Sequence, residues 1–260
     1  MKSQTTFSID LNQRCHIVLG MVPERRWDAV AMLRLATGLL LSLLAGSLLK
    51  GWLDHALPRQ GAATQSFLTF LVGTISFHGV GLILVHYFLK AHAMSWKEFF
   101  GLDAAPWQRA LRFAAATSVL AIPLTLCLNY LSAALINAIQ HHHAEEQLVI
   151  KVLQNTGGGG QRVVFGFAAI VLAPIVEESL FRGILYTFVK QLGYPMLALA
   201  GTSLLFAAIH ANLMTFVPLT FLAMILVLLY ERTQTLLAPI IMHSLFNAVN
   251  FTLFLAWPQK

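Results

Sequence analysis

The hydrophobic positions of this chain fall into long runs that recur from residue 27 to residue 257. Most runs approach or exceed the roughly 20 residues that an α-helix needs to cross the hydrocarbon core of a bilayer. Seven spans are predicted, at 27–49, 67–89, 113–138, 163–189, 195–210, 216–230 and 236–257. The pattern predicts an all-α, polytopic transmembrane bundle of about seven to eight spans, in which the short fifth and sixth runs are tilted or buried.

Polar segments lie before and between these runs. Residues 1–26 are predicted to be a polar N-terminal cytoplasmic segment, and residues 27–260 a single membrane domain. Residues 95–100 resemble a short amphipathic helix at the membrane interface. The loop between the third and fourth runs contains His141, His142 and His143, for which a solvated loop is favoured over a metal site because consecutive side chains cannot all face one ion.

Composition narrows the possible partners. Charged residues make up 11% of the chain, against about 25% in soluble domains, so the partner of most of the surface is the lipid bilayer. The net charge of +6 is not arranged as a basic stripe with interleaved aromatic residues, and no nucleic acid partner is predicted. Lys and Arg are concentrated in alternate loops, which predicts a multi-pass protein of the plasma (inner) membrane with its N-terminus in the cytoplasm.

The fourth apolar run is interrupted by Glu177, Glu178 and Arg182. Ionisable groups at membrane depth are costly and usually mark a functional site. Neighbouring residues on a helix diverge by about 100°, whereas residues four apart share a face. Glu178 and Arg182 are therefore expected to form an ion pair, leaving Glu177 free for chemistry. The alternative is a purely structural salt-bridge cluster.

Two further polar pairs, each spaced by four residues, occur on later spans. Phe206 precedes His210, and His243 precedes Asn247. Hydrogen bonding between helices would account for either pair alone. Together with the fourth span they supply a carboxylate, two imidazoles and a carboxamide, which are the groups needed to activate water and stabilise an oxyanion. The lone histidines of the second span, His78 and His86, are assigned no chemistry.

Glu-Glu-x-x-x-Arg, Phe-x-x-x-His and His-x-x-x-Asn, in this order on successive spans, resemble the CPBP family of CAAX-processing and bacteriocin-processing intramembrane proteases, including its Ras-converting type. The resemblance covers about residues 163–250. It implies an all-helical peptidase with its motif residues around an interior, water-accessible polar cavity, and a catalytic core at about 163–257. It also implies a catalytic Glu177 supported by Glu178 and Arg182, with the remaining site residues His210, His243 and Asn247.

The resulting hypothesis is an intramembrane endopeptidase that acts on a membrane-associated protein or peptide. Glu177, assisted by His210, would take a proton from the attacking water, and His243 and Asn247 would bind the oxyanion. No cofactor is required in this scheme. In the alternative scheme, Glu177, His210 and His243 hold zinc with one position open for water, although the sequence lacks a His-Glu-x-x-His motif.

Two other classes of protein compete with a peptidase. A non-catalytic membrane scaffold or immunity protein could use the same cavity to bind a partner. A proton-coupled transporter could use the acid–histidine cluster as a relay, but it would usually show internal repeats or paired broken helices. Neither feature is found in the sequence.

Overall fold

The computed structural model describes residues 25–57, 61–103, 106–140 and 159–256, and these contain eight helices and no strand. In chain order they are α1 (Ala29–Ala56), α2 (Ala63–Ala91), α3 (Trp96–Phe100), α4 (Trp107–Ile139), α5 (Gly159–Gln191), α6 (Pro195–Ala208), α7 (Leu213–Thr233) and α8 (Leu237–Ala256). The predicted cytoplasmic segment up to residue 24 and the histidine run 141–143 lie outside the described residues.

Six of these helices are long and apolar enough to cross a membrane, so the chain is a multi-pass membrane protein of polytopic, all-α architecture. The fifth predicted span differs. Its helix α6 has only 14 residues, which corresponds to about 21 Å at 1.5 Å per residue, against a hydrocarbon core of about 30 Å. The chain turns back at residues 209–212 because Ala211 adopts a positive φ of 49° and Asn212 caps the next helix by accepting a hydrogen bond from the Thr215 N–H.

Helix α7 occupies the centre of the bundle. It packs against α4 on one side and α6 on the other, while α8 packs against α4 and the first half of α5. Leu222, Ala223, Leu226 and Val227 of α7 are completely buried. By contrast, α1, α2 and α4 expose rows of leucine, isoleucine and valine side chains, as expected of surfaces in contact with lipid.

Helix α5 departs from α-helical geometry in two places. π-Helical stretches at Ala168–Leu172 and Ser179–Tyr186 flank a short α-helical segment, Ala173–Glu178. This segment carries Pro174 and ends with the paired glutamates. π-Helical turns are rare and occur frequently at functional sites, since the additional residue in the turn redirects the side chains that follow.

The end of α5 is fixed by three hydrogen bonds with Trp27, which lies just before α1. The Trp27 indole donates a hydrogen bond to the Thr187 hydroxyl at 2.7 Å. The Gln191 side chain accepts from the Trp27 backbone N–H and donates to the Trp27 carbonyl, both at 2.7 Å. Nearby, the buried Glu231 carboxylate of α7 accepts hydrogen bonds from Tyr186 at 2.6 Å and Lys190 at 2.5 Å.

Helix α3 also packs against α5. Ser95 and Glu98 form a capping box at its N-terminus, and this supports the helical conformation predicted for this segment. Phe99 of α3 is completely buried, and its ring lies so close to Gly183 that a Cβ atom at Gly183 would overlap it. The second half of α5 is thus held by packing as well as by hydrogen bonds.

Candidate active site

Glu178 is the centre of a buried polar cluster. Its Oε1 atom accepts a hydrogen bond from Nη1 of Arg182, one turn along α5, at 2.8 Å. The same oxygen accepts from Nδ1 of His243 on α8, also at 2.8 Å. Glu178 is 0% exposed and Arg182 1%. The ion pair expected from the i, i+4 spacing is therefore present. The hydrogen bond from His243 connects this pair on α5 to helix α8.

Arg182 has two further contacts with neighbouring helices. Its Nη2 donates to the Ala223 carbonyl of α7 at 3.1 Å. Its guanidinium carbon lies 4.7 Å from the centre of the Phe206 ring on α6. The environment of the buried pair thus comes from α6, α7 and α8, although Oε2 of Glu178 is buried without a hydrogen-bond partner among the described residues.

Glu177 points to a different side of α5. Its Oε1 atom lies 3.2 Å from Nε2 of His78 on α2. Its Oε2 atom lies 3.9 Å from Nε2 of His243. The residue is 9% exposed, so its carboxylate is largely removed from solvent. The two adjacent glutamates have separate environments, as their divergent helical directions predict.

His210 lies in the turn after α6, where its ring packs against the ring of Phe206. Its Nδ1 lies 2.7 Å from the Phe206 carbonyl oxygen. A carbonyl oxygen only accepts hydrogen bonds, so Nδ1 carries the hydrogen and Nε2 of the neutral ring carries a lone pair. His210 is largely exposed, in contrast to the buried His243.

Phe206 packs between the charged and imidazole groups. In addition to the Arg182 guanidinium, its ring contacts the His210 ring at 4.9 Å and the His243 ring at 5.8 Å between centroids. Phe206 itself is completely buried. The aromatic residue of the Phe-x-x-x-His motif therefore fixes the relative positions of three of the predicted site residues.

Asn247 lies one turn beyond His243 on α8. Its side-chain nitrogen donates a hydrogen bond to the Ala169 carbonyl, in the first π-helical stretch of α5, at 2.7 Å. An amide nitrogen carries two hydrogens, so this contact leaves the second one for another acceptor. The structure thus brings Glu177, Glu178, Arg182 and His243 together, with Asn247 and His210 beside them; their chemical roles stay predictions.

His78 is the residue that the sequence analysis missed. The sequence predicts an interior histidine without chemistry, and the structure places its Nε2 within hydrogen-bonding distance of Glu177. The available signal was the set of small residues around it, Ser76, Gly79 and Gly81, because small side chains allow transmembrane helices to approach closely. A Cβ atom at Gly81 would lie only 3.2 Å from Val176, the residue before Glu177.

The zinc alternative requires Glu177, His210 and His243 to converge on one ion. Within the described residues, no group of three or more His, Cys, Asp or Glu side chains is arranged to hold a metal. His243 also directs its Nδ1 to Glu178. That bond leaves Nε2 as the His243 nitrogen that could bind an ion, so the zinc scheme stays a prediction beside the glutamate scheme.

Comparison with known families supports the motif assignment. The family model described as "Type II CAAX prenyl endopeptidase Rce1-like" matches residues 159–249. This segment begins with α5, ends within α8 and includes all three motifs. The match confirms the family resemblance drawn from the motifs, while α1 to α4, with His78, lie outside it.

A curated relative shows similarity over a comparable length. The UPF0177 protein YaiF of Lactococcus lactis subsp. lactis (strain IL1403) is 29% identical over 117 residues. The aligned region covers 44% of this chain and 49% of that protein, so the chain spans about half the length of this relative. No solved structure matches the chain significantly.

Proposed function

We propose that this chain, which matches the Rce1-like CAAX prenyl endopeptidases over residues 159–249, is an intramembrane endopeptidase that uses a glutamate-activated water. The observation that carries the proposal is the position of the Glu177 carboxylate. It is nearly buried within the membrane domain, with its Oε1 atom 3.2 Å from Nε2 of His78 and its Oε2 atom 3.9 Å from Nε2 of His243. Placing a carboxylate within a transmembrane segment costs free energy, so a carboxylate that is found there beside imidazoles usually marks a functional site.

In the proposed reaction, Glu177 acts as the general base. Its carboxylate takes a proton from a water molecule, and the water oxygen attacks the scissile carbonyl carbon. His210 assists by accepting a hydrogen bond from this water through the lone pair on Nε2, since its Nδ1–H is bound to the Phe206 carbonyl. A positioned base accelerates such a step by about 10²–10⁴-fold.

The negative charge that develops on the carbonyl oxygen would be stabilised from α8. Nδ1–H of His243 donates to Glu178, so Nε2 can donate to an oxyanion only when the ring carries both of its hydrogens. The second N–H of Asn247 is the other proposed donor. One oxyanion donor contributes roughly 10²–10³-fold. When the intermediate collapses, the C–N bond breaks and protonated Glu177 returns its proton to the leaving amine.

The proposed substrate is a membrane-associated protein or peptide, cleaved at a site with access to a water-filled interior cavity. The scheme needs no cofactor. Arg182 and Glu178 support the reaction by fixing His243 and the helix that carries Glu177.

The decisive experiment compares the wild type with Glu177→Gln. Each purified protein is reconstituted in liposomes and incubated with a farnesylated CAAX peptide, and cells carrying each form are compared by peptidomics. We expect Glu177→Gln to abolish cleavage while the protein elutes and melts as the wild type does. Asp54→Asn, which removes an exposed carboxylate of α1, is the matched control and should retain full activity. Equal fragment patterns from wild type and Glu177→Gln would contradict the proposal and favour a non-catalytic role.

A further inference from the structure

We infer that His78 of α2 is a positioning residue for the Glu177 carboxylate, which it holds by a hydrogen bond from Nε2 to Oε1. This inference rests on the proposed function, because it gives His78 a part in preparing the base. It extends the site beyond the segment 159–249 that matches the endopeptidase family. It also makes the N-terminal helices part of the catalytic machinery.

The two oxygens of Glu177 face two different helices. Oε1 lies 3.2 Å from His78 Nε2 on α2, and Oε2 lies toward His243 Nε2 of α8 at 3.9 Å. A carboxylate with no fixed oxygen can rotate about its terminal torsion, which is broad and roughly two-fold. A hydrogen bond to Oε1 restricts that rotation and leaves Oε2 as the oxygen directed at the imidazole that stabilises the oxyanion.

The chemistry of the contact assigns the hydrogen. An ionised carboxylate only accepts hydrogen bonds, so Nε2 of His78 is the donor. The other ring nitrogen, Nδ1, is buried and has no hydrogen-bond partner among the described residues. A buried polar atom without a partner is rare and calls for an explanation such as a functional role. His78 therefore occupies a costly position that its contact with Glu177 explains.

The backbone of α2 is shaped to place His78 there. Residues Ile75–Gly79 form a π-helical turn, in which the Val80 N–H bonds to the Ile75 carbonyl five residues earlier. Ser42 of α1 donates to the Ser76 carbonyl in this turn at 2.6 Å. A Cβ atom at Gly46 of α1 would overlap the Ser76 hydroxyl. Helix α1 thus packs directly against the turn that carries His78.

The approach of α2 to α5 is equally close. Gly81 lies three residues after His78 and is buried, and a Cβ atom there would lie 3.2 Å from Val176 Cγ1 and 3.8 Å from Leu180 Cδ1. The His78 ring also has an edge-to-face contact with Phe77, with centroids 5.0 Å apart. The absence of a side chain at Gly81 allows the two helices to approach until His78 reaches Glu177.

Two substitutions of His78 distinguish its role as a hydrogen-bond donor from its role in packing. His78→Phe retains an aromatic ring but removes the N–H, whereas His78→Gln retains an N–H donor. With the farnesylated CAAX peptide and the full-length protein in liposomes, we expect His78→Phe to lower kcat about tenfold to hundredfold with little change in KM, since small errors in the position of a catalytic group cost this much. His78→Gln should recover most of kcat. His86→Phe, at an exposed position of the same helix where the ring contacts Trp96, should leave both constants unchanged.

A readout independent of turnover distinguishes this inference from the proposed function. A double-mutant cycle provides this readout. It compares the Tm values of four proteins: the wild type, His78→Phe, Glu177→Leu and the double variant. We expect the two single shifts to be non-additive, with the double variant less destabilised than the sum of the single variants, because each single variant leaves the other buried polar group without its partner. Additive shifts would overturn the inference whether or not the peptide is cleaved. Wild-type kcat in His78→Phe, alongside inactive Glu177→Gln, would overturn it and leave the proposed function standing.

Discussion

The side-chain amide of Asn247 donates a hydrogen bond to the backbone carbonyl of Ala169, 2.7 Å away across the contact between α8 and α5. The Ala169 carbonyl needs this donor because of the residue five positions later in α5. In this π-helical stretch the Ala173 N–H bonds to the Ala168 carbonyl, so the donor for Ala169 would be residue 174. That residue is Pro174, which has no N–H. Asn247 supplies the hydrogen bond that the proline removes.

This relationship predicts a compensating pair of substitutions. Asn247→Ala should lower the free energy of unfolding by about 1–3 kcal/mol, because it leaves the Ala169 carbonyl without a partner. In a Pro174→Ala background, the new N–H at position 174 can donate to Ala169, and the same substitution should cost less than about 1 kcal/mol. Unfolding in mixed detergent micelles measures both values.

Asn250 provides the control for this comparison. Its side chain donates to the Phe246 carbonyl of its own helix, so Asn250→Ala should change the free energy of unfolding by no more than about 0.5 kcal/mol in either background. Equal losses for Asn247→Ala with and without Pro174 would show that residue 174 does not determine the need for this bond. Turnover should fall in Asn247→Ala in both backgrounds, since the proposed oxyanion donor is absent.

The buried pair of Glu178 and Arg182 predicts an asymmetry between single and double substitutions. Glu178→Gln or Arg182→Ala leaves one charge uncompensated and should cost about 3–5 kcal/mol of stability together with activity. Replacing both residues by Met removes both charges and should be less destabilising than either single change. Thermal unfolding in detergent measures the effect. Asp54→Asn, at an exposed pair, should cost at most about 1 kcal/mol, and an equal loss there would contradict the role assigned to burial.

The glutamate mechanism predicts the response to chelators. Because a water activated by Glu177 needs no metal in the proposed scheme, incubation with 1,10-phenanthroline should leave turnover of the farnesylated CAAX peptide unchanged. Elemental analysis of the active protein should find less than one equivalent of zinc. Loss of activity on chelation that zinc restores would replace the glutamate scheme with the metal scheme.

The capping box of α3 predicts a pH dependence outside the membrane spans. Hydrogen bonds from the Ser95 backbone N–H and hydroxyl hold the pKa of Glu98 below its ordinary value of 4.5. A carboxyl with a lowered pKa in the folded state stabilises the fold above its unfolded-state pKa, and this stabilisation is lost as the pH falls through the folded-state value. The Tm difference between wild type and Glu98→Gln should therefore be positive near neutral pH and should shrink below about pH 4.5.

Ser95→Ala tests whether the capping contact causes this effect. Removing the hydroxyl takes away one of the two donors to Glu98, so the pH-dependent part of the Tm difference should become smaller in the Ser95→Ala background. The measurement is differential scanning fluorimetry in detergent across the acidic range. A Tm difference between wild type and Glu98→Gln that does not vary with pH would show that Glu98 has no favoured ionised form in α3.

The sequence alone determined much of this protein. Runs of apolar residues specify spans, because a backbone in hydrocarbon must satisfy its hydrogen bonds within helices. The spacing of Glu178 and Arg182 specified their ion pair, since residues four apart share a helical face. The helical direction of Glu177 separated it from that pair. Each of these results follows from local geometry within a single helix.

Only the tertiary structure decided which helices meet. His78 and Glu177 are separated by 99 residues, and their contact depends on how closely α2 approaches α5 at Gly81. The π-helical turns depend on neighbouring helices as well, through Ser42 at Ser76 and Asn247 at Ala169. The sequence pattern records which face of a helix is polar but not which partner it faces, because packing between helices rests on many weak contacts distributed along the whole chain.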